Sequence, residues 1–439
     1  MLSLTRPISA QIEVTDKCNL RCKHCYHLDF DCKKNSKDSP DEKVVSMAEK
    51  LVENQIFSAI ITGGEPLVRK HLTTELVRRF KEHNIDVSLN TNLQLLDEAT
   101  LGEFIASHLD GMLISCPSTN YETYKCMTGG GDLQRFLSKL EILVQSGQHF
   151  SVNMVVNKRN LGNIRQSAES LRDMGVKIFG ATPMGLNLEN PDLNNLLTAE
   201  EVQKLIEDLM WAKDNLGLSV DIFEALPKCA FPAWIRKIDL PFLNRRCQAG
   251  KTVISVSNNG DVRTCSHNPK SYGNILDEPL GVIWQKMAEW RNFETIPARC
   301  HDCKKLTKCF GGCRITAKAY TGDCGGEDPW MSSPILIDEK LPNKNPEIEI
   351  NPDMSVSFAE TFRWRHESGD DYLMTSTRNN RNITVVNKQL LSFVQYLKQA
   401  CPLKLGNLAK SVKKDFTDSE FQRIIRLLLT RGFISPQHR

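Results

Sequence analysis

The 439-residue chain has no apolar run near the roughly 18 residues that a membrane-spanning helix needs. It has no basic-then-apolar secretory segment at its start either, so an exported or membrane-anchored protein is not expected. Charge of one sign is scarce. The 56 Lys and Arg against 53 Asp and Glu leave a net +3 spread along the sequence, which gives little hold on nucleic acid or an anionic membrane. Aromatic residues make up only 7% and are scattered, as expected for core positions. Cysteine, by contrast, is abundant. In the reducing cytoplasm that the missing export signal implies, fifteen cysteines point to metal rather than disulfides. Length and an ordinary composition, 40% hydrophobic and 25% charged, suit a globular chain of two or three domains.

Ten of the fifteen cysteines fall in two sets. In the first, Cys18, Cys22 and Cys25 stand at the spacing C-x3-C-x2-C. Three soft thiolates in one tight loop suit three corners of an iron-sulfur cube and leave one iron without a protein ligand. A zinc knuckle is the alternative, with His24 or His27 as its fourth donor. The remaining five, Cys32, Cys116, Cys126, Cys229 and Cys401, read mostly as ordinary buried or surface thiols.

Around the loop the hydrophobic pattern alternates. Strands are expected at 8–15, 56–62, 85–90, 111–116, 150–156, 176–181 and 218–223. Helices are expected at 41–54, 70–83, 97–108, 131–146, 162–174 and 198–216. Repeated βα units predict an α/β fold with a parallel sheet, whose strand ends carry the chemistry. The cysteine loop follows the first strand, and Gly63-Gly64-Glu65-Pro66 follows the second, where a glycine pair lets backbone approach a ligand closely.

The cysteine spacing with Tyr26 behind it, the βα repeat and the Gly-Gly-Glu-Pro turn together resemble the radical S-adenosylmethionine (SAM) superfamily over about the first 225 residues. The resemblance implies a partial (βα)6 TIM-like barrel and a 4Fe-4S cluster that cleaves SAM to methionine and a 5'-deoxyadenosyl radical. Carried over by position, Tyr26, Gly63, Gly64, Glu65, Pro66, Thr91, Asn92, Ser115 and Asn153 become expected SAM contacts, with Glu65 at the amino group. Two departures stand out. Leu93 occupies a position where the family has glycine, and the stretch Met127 to Gly131 lacks a common arginine, leaving Lys125 or a backbone turn for the SAM carboxylate. Taken singly, each of these polar residues equally suits the satisfaction of strand-end backbone groups.

The second set runs Cys247, twelve residues, Gly260, four residues, Cys265, then Cys300-x2-Cys303-x5-Cys309-x3-Cys313 and Cys324. This string is similar to the seven-cysteine SPASM domain, expected here at 226–335. The resemblance implies a first auxiliary 4Fe-4S cluster on Cys247, Cys265 and Cys313, with Cys229 as a possible extra ligand, and a second on Cys300, Cys303, Cys309 and Cys324. With the SAM cluster that makes three. Residues 253–264 read as a hairpin turning at Asn259-Gly260. Asp261 and His267 are candidate bases, although a solvated turn better explains the Asp.

Residues 336–352 read as a Pro-, Asn- and charge-rich linker. In 353–439, strands expected at 356–365, 372–376 and 383–386 precede three helices. That order resembles the winged-helix-like recognition element of ribosomal peptide maturation, which takes a leader peptide as an added strand. A DNA-binding winged helix or a structural cap are the alternatives. The resemblances together imply a cytoplasmic maturase acting on a precursor peptide, supplied with electrons by a flavodoxin or ferredoxin. Two further readings are an enzyme of tetrapyrrole or other small-cofactor synthesis or a sulfatase-type maturase, and an iron-sulfur DNA-binding regulator.

Overall fold

The computed structural model describes residues 4–26, 38–336, 348–376 and 383–437. Cys32, His27 and most of the expected linker lie outside them. Seven strands stand side by side in chain order, each parallel to the next: β1 Ser9–Glu13, β2 Ser58–Thr62, β3 Asp86–Thr91, β4 Gly111–Ser115, β5 Phe150–Val156, β6 Ile178–Pro183 and β7 Ser219–Asp221. The connecting helices are α1 Asp41–Glu53, α2 Lys70–Glu82, α3 Glu98–Ala106, α4 Tyr121–Thr128, α5 Leu133–Gln145, α6 Ile164–Asp173 and α7 Ala199–Leu216.

Local chemistry explains these elements. Helix α1 buries Val44, Met47, Ala48 and Leu51, one stripe at 3.6-residue spacing. Side chains of Asp97, Asn120 and Asp132 cap α3, α4 and α5, and Thr198 with Glu201 forms a capping box on α7. Every strand and helix expected before residue 225 is present, with small shifts at the ends. Helix α4 is an addition. At eight residues it is too short for periodicity to reveal, yet it buries Tyr124, Met127 and Thr128.

The sheet continues past residue 225. Strand β8 Val253–Val256 pairs in parallel with β1, and β9 Val262–Arg263 folds back on β8 through a turn in which Gly260 has φ +99°. The sheet therefore grows to nine strands, and residues 6–341 form one compact unit. Four short helices follow: α8 Leu280–Gln285, α9 Ala288–Arg291, α10 Leu306–Cys309 and α11 Arg314–Thr321. Beneath the hairpin, Arg263 pairs with Glu13, and Ser255 Oγ donates to Glu13 Oε1 at 3.3 Å.

The other unit joins residues 342–439 to the first five. Strand β10 Ser355–Phe358 stands apart from β11 Arg363–His366, where one continuous strand was expected. The cause is a corner: Phe362 packs edge-on against Phe358 and Phe433, and Thr361 Oγ1 donates to Ser376 O at 2.7 Å. Strands β11, β12 Asp371–Thr375 and β13 Thr384–Asn387 form one antiparallel sheet. Helix α12 Lys388–Ala400, strand β14 Leu403–Lys404, helices α13 Leu405–Ser411 and α14 Ser419–Thr430, and strand β15 Ile434–Pro436 complete the unit, with β10 paired between β14 and β15. Its core holds Val356, Met374, Val394, Leu397, Ile425, Leu428 and Phe433.

Candidate active site

The loop carrying Cys18, Cys22 and Cys25 is held from two sides. Arg21 N donates to Thr128 O at 2.9 Å and Lys23 N to Met127 O at 2.8 Å, which lays the loop along the end of α4. Opposite, Gly64 N donates to Thr15 O at 2.7 Å and Glu65 N to Lys17 O at 2.8 Å. Only glycine permits this approach. A Cβ on Gly64 would lie 2.2 Å from Lys17 O, and one on Gly129 2.3 Å from Arg21 O. The obstacle is backbone in both cases, so Gly64→Ala is expected to destabilise the fold by about 3 kcal/mol. A lowered urea midpoint and reduced iron uptake would record it; an unchanged midpoint would contradict it.

Glu65 has a structural role. Its carboxylate accepts from Leu67 N at 3.0 Å, Thr91 Oγ1 at 2.7 Å and Asn92 N at 2.8 Å, and it is 1% exposed. Burial raises its pKa, against the pull of these donors. The side chain thus clips the end of β3 to the turn after β2. Asn92 Nδ2 donates to Asn19 Oδ1 at 2.9 Å, tying that strand end to the cysteine loop. Leu93 takes φ +69°, the left-handed conformation that explains the family's glycine at this position.

These residues open onto one cavity of about 440 Å³, ample for a nucleoside-sized ligand. From the barrel side Cys18, Cys22, Cys25, Tyr26, Gly63, Gly64, Glu65, Thr91, Asn92, Ser115 and Asn153 line it, and from the SPASM side Cys247, Cys265, His267 and Cys313. Asn153 Oδ1 accepts from Thr182 Oγ1 at 2.8 Å. The Tyr26 ring stacks on His267 with centroids 4.3 Å apart, joining the two sides. Burial lowers the His267 pKa.

Three expected residues are elsewhere. Pro66 is buried under the turn and off the cavity wall. Lys125 points from the exposed face of α4 toward the Tyr121 ring, 5.9 Å away, so it does not replace the missing arginine. Asp261 sits in the hairpin turn, accepting from Asn259 Nδ2 at 2.9 Å, off the wall as a solvated-turn residue would be. Other wall residues went unnoticed in the sequence: Gln11, Thr182, Glu224 and Arg245. Glu224 follows the three-residue β7 and lies where its charge is felt at His267, Cys265 and Cys313. No local motif marks it.

A second cavity is lined by Cys300, Cys303 and Cys309, and also by Cys229. Cys324 is on neither wall. Among the described residues no three Cys, His, Asp or Glu side chains close round a single ion. Thiols spread along a cavity wall suit a cube, in which each binds a different iron.

Residues 12–171 match the sequence profile of the radical SAM superfamily, and 247–304 that of the SPASM iron-sulfur cluster-binding domain. The chain thus carries a radical SAM domain and a SPASM domain. Its cofactors are accordingly SAM and 4Fe-4S clusters. Similar curated proteins include the mycofactocin maturase MftC of Mycolicibacterium smegmatis, 28% identical across 78% of this chain and 88% of that one. Another is an AdoMet-dependent heme synthase of Methanosarcina barkeri, 26% identical across 72% of this chain and 94% of that one. A third is a PqqA peptide cyclase of Granulibacter bethesdensis, 23% identical across 75% and 88%. Among solved structures, Streptococcus suis SuiB superposes with a TM-score of 0.60 at 19% identity over 74% of this chain and 76% of that one. Native anSMEcpe with bound AdoMet and a peptide gives 0.59 at 20% identity over 74% and 93%. The radical SAM barrel and its SPASM extension thus share a fold with both. No helix among the described residues is long and apolar enough to cross a membrane.

Proposed function

We propose that this radical SAM enzyme is a maturase that installs a crosslink or related modification in a ribosomally made precursor peptide. One observation carries the reading: a single cavity connects the loop of Cys18, Cys22 and Cys25 with Cys247, Cys265 and Cys313. Two relatives named as a mycofactocin maturase and a PqqA peptide cyclase support it, as does the fold shared with SuiB, a structure of which holds its precursor peptide SuiA.

Cys18, Cys22 and Cys25 would hold the cluster whose open iron takes SAM, and two further clusters would sit in the SPASM region, three in all. Bound there, the first cluster supplies the electron that splits SAM into methionine and a 5'-deoxyadenosyl radical, with a flavodoxin or ferredoxin as donor. The chain's own residues do the rest. The turn of Gly63 and Gly64 would hold the methionyl end of SAM, and Ser115 and Asn153 on the cavity wall would contact its ribose. Glu224 and His267, both on the cavity wall with the auxiliary cysteines, are the acid-base groups for the substrate proton. Glu224→Gln is expected to lower peptide product formation about 100-fold while iron content and abortive 5'-deoxyadenosine formation hold. Equal loss of both activities would remove Glu224 from that role.

The 353–439 module would act as the winged-helix-like leader reader. Its strands β11, β12 and β13 precede α12, α13 and α14, and β13 is an edge strand of its sheet among the described residues. An edge strand offers backbone groups to an incoming peptide. Tethering the leader raises the effective concentration of the core peptide at the cavity. The second reading, small-cofactor synthesis, rests on the heme synthase relative.

Anaerobic reconstitution followed by an iron count and a 5'-deoxyadenosine assay with dithionite and SAM tests the chemistry. About 12 irons per chain with SAM cleavage is the expected result. Adding leader-core peptides then separates the two readings: a mass change in a peptide supports maturation, and turnover of a tetrapyrrole alone would replace it.

A further inference from the structure

The second cavity gathers a different thiol quartet from the one that the seven-cysteine string suggests. Cys229, Cys300, Cys303 and Cys309 line it together. Cys324 belongs to another neighbourhood, near Lys318, Asp323, Arg314 and Glu289. The chain path explains why. Helix α11 starts directly after Cys313 and runs eight residues, about 12 Å, before Cys324 is reached. Arg314 then fixes that far end by donating from Nη1 to Cys324 O at 3.1 Å and to Gly326 O at 2.7 Å.

The surroundings of the quartet have the chemistry of a cluster site. Lys228 N donates to Cys309 Sγ at 3.2 Å and Ser332 N to Cys229 Sγ at 3.3 Å, the amide-to-sulfur bonds that tune such sites. The Met331 sulfur lies 3.8 Å from Cys300 Sγ, and Arg299 is on the wall. Four thiolates on a cube carry net negative charge, which calls for cations nearby. Lys228 is 7% exposed and has its ammonium turned to the carbonyls of Phe242 and Arg245.

We propose that the second auxiliary cluster is held by Cys229, Cys300, Cys303 and Cys309, and that Cys324 is not a ligand. The assignment rests on the three-cluster reading above, refining it at one corner. Cys229 lies 18 residues before Cys247, outside the seven-cysteine string, so spacing does not reveal it.

The test compares full-length wild type with Cys229→Ala, Cys229→Ser and Cys324→Ala after anaerobic reconstitution, by iron content and by EPR of the reduced proteins. Wild type with about 12 irons validates the three-cluster reading by itself; a lower wild-type count sinks that reading before the variants are compared. The expected result is loss of about 4 irons and one EPR component in Cys229→Ala, with Cys324→Ala like wild type. Cys229→Ser covers the case of misfolding. It offers an oxygen ligand in nearly the same volume, so iron should stay while one EPR component and its midpoint potential shift. An unaltered spectrum in Cys229→Ser, or iron loss in Cys324→Ala, overturns the assignment.

Discussion

Replacing Cys18, Cys22 and Cys25 together by alanine is expected to abolish 5'-deoxyadenosine formation and to remove about 4 irons per chain, while the auxiliary clusters remain. The loss should be complete because no other described thiol stands on that side of the cavity: the next cysteines on its wall belong to the SPASM side. Stability should change little. The loop is held by backbone hydrogen bonds from Arg21 to Thr128, from Lys23 to Met127, from Gly64 to Thr15 and from Glu65 to Lys17, none of which uses a cysteine side chain. An iron count with a deoxyadenosine assay and a thermal melt checks all three statements, and residual SAM cleavage at the wild-type rate would refute the assignment of the loop.

Arg263→Leu is expected to have the largest effect on stability, about 3–5 kcal/mol, because it removes the cation paired with the buried carboxylate of Glu13. Glu13 is 2% exposed and Arg263 8%, and they pair across the junction of β1 with the β8–β9 hairpin. Glu13 ends β1 five residues before Cys18, and Arg263 stands two residues before Cys265. The pair therefore sets the spacing between the two sides of the cavity, and iron at Cys247, Cys265 and Cys313 should fall with the urea midpoint. The double variant Glu13→Leu, Arg263→Met should recover most of the loss, since an apolar pair of similar volume replaces a buried ion pair at little cost. A double variant as unstable as Arg263→Leu would show that the hairpin is placed by something else.

Much of this molecule is legible in one dimension. Ligands that must sit in one tight loop are close in sequence, so Cys18, Cys22 and Cys25 declare themselves by spacing, and the Gly63 to Pro66 turn follows one strand later. The βα alternation is similarly local, since each strand and helix carries its own period. Even the departures have local causes: a two-turn helix is too short to show a period, and Leu93 takes a glycine's backbone conformation without being glycine.

What the sequence by itself determined, then, is the cysteine loop, the order of elements and the radical SAM and SPASM character. Tertiary structure alone decided which distant groups meet. It set β8 beside β1, so that barrel and SPASM region share one sheet. It drew Glu224 to the wall of the cavity, turned Lys125 and Asp261 away from it, and put Cys229 rather than Cys324 among Cys300, Cys303 and Cys309. The physical reason is the same in each case. Spacing constrains only residues that share a turn or a loop, whereas the meeting of separate segments depends on sheet pairing, helix length and buried charge, which act through space.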